Sequence, residues 1–268
     1  MDLVFSKLTL GLYFIGTLAF LLNLAAKRDG LSRVSLIAAA AGFVFHSLAL
    51  LASLVEGHIP LNSFSGAMSF FSWALVLISF LVEFRYRVII LGSFILPLAF
   101  LSLVSAAALP NEIRSMAPMF QNVWVAVHVS LMILGLVAFT VAFVVGVMYL
   151  IQERLLKSKQ LNHLYSEMPS LDLLDSLNSR SVLLGFPLLT LGMITGAVLS
   201  ENVWNAYWGL EPVQTLTLVT WLFYLVMLHG RLTIGWRAKR AAYLAIIGFI
   251  TVVLTVGVNF ISKGPHAN

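Results

Sequence analysis

A chain of 268 residues with 60% hydrophobic and only 10% charged side chains cannot cover itself with a polar surface; a soluble domain carries about 25% charged residues. Its mean hydropathy of +0.97 assigns it to a bilayer, and the absence of cysteine removes disulfides, thiolate metal sites and thiol redox chemistry together. The net charge of +5 comes from basic residues placed between apolar runs, not gathered on one soluble face, so no nucleic-acid partner is expected.

A spanning helix takes roughly 20 apolar residues. Eight runs qualify: Leu3–Ala25, Val34–Val55, Gly66–Leu81, Val88–Ala108, Val123–Ile151, Val182–Leu199, Val213–Leu228 and Ala241–Ile261. The expected fold class is all-α, a polytopic membrane helix bundle of about eight transmembrane helices forming one domain over residues 1–268. The third and seventh runs are short. The fifth exceeds the bilayer and should tilt or project into water. No small-residue cleavage site precedes the second run, so no cleavable leader is expected.

Orientation follows from Lys and Arg. Lys27, Arg28 and Arg33 follow the first run, Arg85 and Arg87 the third. Arg154, Lys157, Lys159 and Arg180 follow the fifth, and Arg231, Arg237, Lys239 and Arg240 the seventh. The alternate gaps hold Arg114 alone. Both termini and the loops 56–65, 109–122 and 200–212 are therefore extracytoplasmic, in a multi-pass protein of a bacterial cell (inner or plasma) membrane. The cytoplasmic connection 152–181 carries Leu161, Leu164, Tyr165, Leu171, Leu173, Leu174 and Leu177. That spacing fits an amphipathic helix lying on the lipid bilayer, its second half starting at Pro169. A plain connector is the alternative.

An ionisable side chain inside a bilayer is costly and marks function by default. His46 lies mid-way along the second run, His128 in the outer turns of the fifth and His229 at the inner end of the seventh. No Asp or Glu lies deep in a run, which weighs against a carboxylate-based ion pump. The lack of paired Gly/Pro-broken helices weighs against a small-solute transporter. His128 and the tail residue His266 share the outer face with the aromatic segment 200–212, which holds Trp204, Tyr207 and Trp208. Imidazole is a natural axial ligand of haem iron, and aromatic rings suit the walls of a macrocycle. Plainer readings stand beside this one. His266 and the cytoplasmic His163 are solvated, Trp204 and Trp208 anchor the interface, and His128 hydrogen-bonds a neighbouring helix. His58 is a loop or partner contact. His46 and His229 either ligate haem entering from the cytoplasm or donate to a backbone carbonyl.

The aromatic segment WNAYWGLEP at 204–212, followed by TWLFYLVMLHGR at 220–231, resembles the tryptophan-rich "WWD" signature and L-H-x-R of the CcsA/ResC cytochrome c assembly family. QNVWVAVHV at 121–129, GWRAKRAA at 235–242, VNF at 258–260 and GPH at 264–266 are similar to further family motifs in the same order. GHIP at 57–60 through FSWA at 71–74 is similar to the family's early outer loop and third helix. Each motif is weak alone; their order and spacing over nearly the whole chain are specific.

The resemblance implies a protein that carries haem b to the outer face and presents it to apocytochrome c for thioether attachment, as a subunit of a cytochrome c synthase (haem lyase). It implies outer axial ligands at His128 and His266 and a transmembrane ligand at His229. Trp124 falls in the motif around His128, and Trp204, Tyr207, Trp208 and Glu211 fall on the signature. A CcsB/ResB-like membrane partner is implied as well. The signature is altered here: where the family has W-x-W-D-P-K-E, this chain has Leu210, Glu211, Val213 and Gln214 in place of the second tryptophan, aspartate, lysine and glutamate. The chain is also similar to the HemX-like branch, whose members regulate haem biosynthesis. That similarity implies the alternative of a cytoplasmic connector acting on glutamyl-tRNA reductase.

Overall fold

The computed structural model describes residues 3–26, 29–57, 59–108, 123–159, 163–204, 207 and 212–262, with backbone alone at 3, 25, 26, 29, 202–204 and 259–262. Among them it is helical throughout: α1 (Leu3–Ala26), α2 (Asp29–Val55), a 3₁₀ turn (Pro60–Asn62), α3 (Phe64–Tyr86), α4 (Ile90–Ala108), α5 (Val123–Lys157), the short α6 (His163–Glu167), α7 (Leu171–Trp204), α8 (Pro212–His229) and α9 (Lys239–Ser262). Eight of these are long and apolar enough to cross a membrane. The protein is an all-α multi-pass membrane protein. At 35 residues α5 is about 50 Å long, well beyond a hydrocarbon core of about 30 Å. Its last turn carries the basic residues Arg154 and Lys157.

The chain divides into two compact units, where the sequence reading has one domain. Unit 1 takes residues 1–126 and 160–168; unit 2 takes 127–159 and 169–268. Unit 1 packs α1 on α2 and α3 on α4. Lipid chains are as apolar as leucine, so helices in a bilayer associate through close packing and polar bonds. Serines supply the bonds here. Ser65 Oγ donates to Ala106 O at 2.7 Å, Ser72 Oγ to Ala99 O at 2.7 Å, and in return Ser102 Oγ donates to Met68 O at 2.8 Å. Between α2 and α3, Trp73 Nε1 donates to Ser47 Oγ at 2.9 Å.

Unit 2 is built on aromatic packing. Its core gathers Phe139, Ala142, Val182, Leu189, Tyr224, Met227 and Ala245. The Phe139 and Tyr224 rings stack at 3.6 Å and 9°, and Phe143 stacks on Phe249 at 4.2 Å. Trp221 lies over Phe186 and donates its Nε1 to Thr190 Oγ1 at 2.9 Å, joining α8 to α7.

The segment 152–181 differs from the interfacial connector expected of it. Residues 152–157 complete α5, and from Leu171 onward the chain is already α7, running unbroken into the span. The physical reason lies in the packing of its leucines. Leu174 and Leu177 are buried inside unit 2, and Asn178 Nδ2 donates to Ala142 O of α5 at 3.0 Å. The amphipathic spacing serves helix packing within the bundle.

Candidate functional site

Three of the four histidines expected as haem ligands are described, in three different settings. His46 is fully buried in unit 1. Its Nε2 lies 3.0 Å from Ser69 Oγ and its Nδ1 3.4 Å from Tyr13 Oη, and the Tyr13 ring meets it edge-on. Both nitrogens face hydroxyls, so iron at either would have to displace one. His229 is the last residue of α8 and is exposed. Its imidazole has no hydrogen-bond partner among the described residues. His128, half-buried in the outer turns of α5, belongs to unit 2.

His128 has the geometry of a held ligand. Its Nδ1 lies 2.8 Å from Gly192 O on α7 and 3.4 Å from Thr195 Oγ1. A carbonyl oxygen only accepts, so Nδ1 must carry the proton and the neutral ring keeps its lone pair on Nε2. A hydrogen bond from the remote ring nitrogen to a carbonyl is the usual support of a metal-ligating imidazole, because it fixes both tautomer and orientation.

The seat follows from residue spacing. Along α5, His128, Met132 and Phe139 are separated by four and then seven residues; along α7, Gly196, Gly192 and Gly185 descend by the same intervals. Each set forms one stripe of its helix, and antiparallel packing sets each large side chain on a glycine. A Cβ at Gly196 would stand 2.6 Å from His128 Cε1. The Cε1 edge of the imidazole therefore packs against the bare backbone at Gly196. The sequence reading missed Gly192, Thr195 and Gly196; the matched intervals of small and large residues were the available signal.

Two of the aromatic candidates are described. Trp124, one turn before His128 on α5, is 62% exposed, and Tyr207, beyond the end of α7, is 60% exposed. The Tyr207 phenol hydrogen-bonds the Glu201 carboxylate, which also repels a phenolate; both effects raise its pKa above a tyrosine's ordinary 10. Trp204 ends α7. His266, Trp208, Glu211 and Leu210 lie outside the described residues, as does His58. Val213 and Gln214, which replace the family's charged pair, form the first turn of α8.

His128 and His229 do not share a site. His128 meets α7 at Gly192, whereas the turn that follows His229 meets it at Asp175, seventeen residues earlier and about 25 Å away along the helix. Among the described residues no group of three or more His, Asp or Glu comes together to hold a bare metal ion. The donors present are single imidazoles at opposite ends of a helix pair.

The model of the family described as cytochrome c assembly protein matches residues 61–266. The chain belongs to the cytochrome c assembly family. Its relatives include the cytochrome c biogenesis protein CcsA of Guillardia theta, 31% identical over 235 residues, covering 79% of this chain and 77% of that protein. CcsA of Prochlorococcus marinus (strain MIT 9301) is 32% identical over 238 residues, covering 80% and 77%. Among solved structures, the cytochrome c haem lyase CcmF superposes with a TM-score of 0.70 at 16% identity, a likeness of fold. The match covers 94% of this chain and 45% of CcmF, so this family member spans less than half of that protein's length.

The residues of the outer rim fit a haem. Imidazole nitrogen is the donor type in a chain without cysteine, the His128 tautomer leaves the ring lone pair on Nε2, and Trp124 and Tyr207 each carry an exposed aromatic ring.

Proposed function

We propose that this protein handles haem b in cytochrome c maturation and presents it at the extracytoplasmic face of a bacterial membrane to apocytochrome c. His128 serves as one axial ligand, His266 as the other and His229 as the ligand on the cytoplasmic side. Family membership supports the cytochrome c role. The single observation that carries the site is the Nδ1–H of His128 fixed on Gly192 O at 2.8 Å, which sets the tautomer and the orientation of the ring.

Attachment adds a cysteine thiol of the apocytochrome across a haem vinyl group: a C–S bond forms and the thiol hydrogen passes to the neighbouring vinyl carbon. The described rim of this chain offers no nucleophile or strong acid for that step. Its contribution is to hold the macrocycle flat and oriented, and positioning of this kind lowers a barrier by several kcal/mol. Trp124, Tyr207 and the segment 204–212 form the aromatic side of that seat. A CcsB/ResB-like partner completes it, and the altered signature around Leu210 and Glu211 leaves more of the wall to that partner.

The absorption spectrum of protein purified from haem-replete cells tests this. A Soret band that is lost in a His128→Ala/His266→Ala double variant is expected. A colourless protein would refute the proposal.

A further inference from the structure

Immediately after His229 the chain leaves the α-helix. Gly230–Ile234 form one π-helical turn, closed by Gly235 in the left-handed region at φ 80° and by a Trp236 N–H to Gly230 O bond of 3.1 Å. The first turn of α9 follows from Ala238, which is also left-handed at φ 58°. A single carboxylate ties these irregular residues down. Asp175 of α7 receives two hydrogen bonds from the Arg231 guanidinium, at 2.8 Å from Nη2 and 3.2 Å from Nη1. Nη2 also donates to the Asp175 main-chain oxygen at 3.2 Å, and Ala238 N–H donates to Asp175 Oδ1 at 2.8 Å. The side chains are only 9% (Arg231) and 18% (Asp175) exposed.

One residue of α7 thus fixes both the strand of chain leaving His229 and the start of α9. Such a π turn widens the backbone and is found mostly at functional positions. The ion pair is bidentate, which fixes direction as well as distance, a geometry lysine cannot reproduce. Removing one partner of so buried a pair leaves an uncompensated charge, so each side chain depends on the other. What it holds here is the helix end that carries His229.

We propose that Asp175 and Arg231 form a clasp that positions His229 and sets the charge beside an iron held there, making Asp175 a positioning residue for haem on the cytoplasmic side. This rests on His229 being a haem ligand. Intact, the clasp is neutral. Ferric haem carries one more positive charge than ferrous haem, so an unpaired guanidinium two residues from the ligand favours the ferrous form. An unpaired carboxylate favours the ferric form.

The test is the midpoint potential of the haem whose spectrum disappears in His229→Ala, measured on the full-length protein in detergent. Asp175→Asn is expected to raise that potential and Arg231→Gln to lower it, and the neutral double variant Asp175→Asn/Arg231→Gln to return towards the parent value. The haem that depends on His128, about 25 Å away along α7, is expected to keep its potential in all three. Shifts of the same sign in both single variants, or no shift with haem retained, would overturn the clasp. If the single variants lose the His229-dependent haem, its recovery in the neutral double variant supports the clasp. Loss in the double variant as well makes the pair a plain structural bridge and overturns the proposal. A parent protein whose spectrum is indifferent to His229→Ala refutes the haem reading of that residue, and this inference with it, before any clasp variant is made.

Discussion

His46 in unit 1 and His128 in unit 2 are both imidazoles on long apolar helices; His46 on α2 is held by α1 and α3, and His128 on α5 by α7. They differ in what holds them. Hydroxyls at Ser69 and Tyr13 donate or accept, so they satisfy both nitrogens of His46 whichever tautomer it takes. The carbonyl of Gly192 can only accept, so it binds one nitrogen of His128 and dictates the state of the other. A hydroxyl-lined histidine is completed by its own bundle, whereas a carbonyl-anchored one is aimed. Burial does not rank the two as candidates: the fully buried histidine is the one whose nitrogens both face hydroxyls.

The sharpest break of that contrast is a pair of alanine variants. His128→Ala is expected to lower outer haem content by about tenfold or more, since even losing a ligand's supporting partner costs 10–100-fold. His46→Ala is expected to keep the Soret band but to lower stability by about 3 kcal/mol, from the cavity and the two hydroxyls left buried. Haem content per protein and denaturant unfolding in detergent read the two effects, and a haem loss in His46→Ala equal to that in His128→Ala would erase the distinction.

Gly196→Ala comes next. Its new methyl would meet His128 Cε1 at 2.6 Å, so either ring or helix must shift, at about 1–3 kcal/mol. A displaced Soret maximum together with reduced thermal stability is expected; an unchanged spectrum would mean that the glycine seat does not orient the ligand. Ser69→Ala removes one partner of His46, and interhelical hydrogen bonds in membranes are worth about 0.6 kcal/mol on average. A small stability loss with unaltered haem is expected.

The smallest effect concerns Tyr207 on the outer rim. Glu201→Gln removes the hydrogen-bonded carboxylate that raises its pKa, so its phenol should titrate closer to pH 10. Ultraviolet difference titration against Tyr207→Phe measures this. No change would place the rim phenol out of reach of Glu201.

How much of this was legible in the sequence differs from element to element. The ends of α3 and α8 extend the short apolar runs by a few residues, because helix ends carry polar side chains that hydropathy alone discounts. The beginning of α7 was misjudged for a related reason. The spacing of Leu171, Leu174 and Leu177 reads the same whether the apolar face meets lipid headgroups or other helices; only Asn178 on Ala142 O and Asp175 on Arg231 decide between them. His128 was visible as a candidate through its position and motif, but its anchoring was not, since the acceptor is a main-chain carbonyl 64 residues away. The Asp175 clasp was invisible because a lone Asp near a connector carries no local signal.

The sequence alone determined the solvent, the number of candidate crossings and the family, because each depends on composition and order along the chain. Tertiary structure alone decided which histidine nitrogens are occupied, where α7 begins and what fixes the end of α8. Those outcomes depend on contacts between residues tens of positions apart, and on whether the partner atom donates or only accepts.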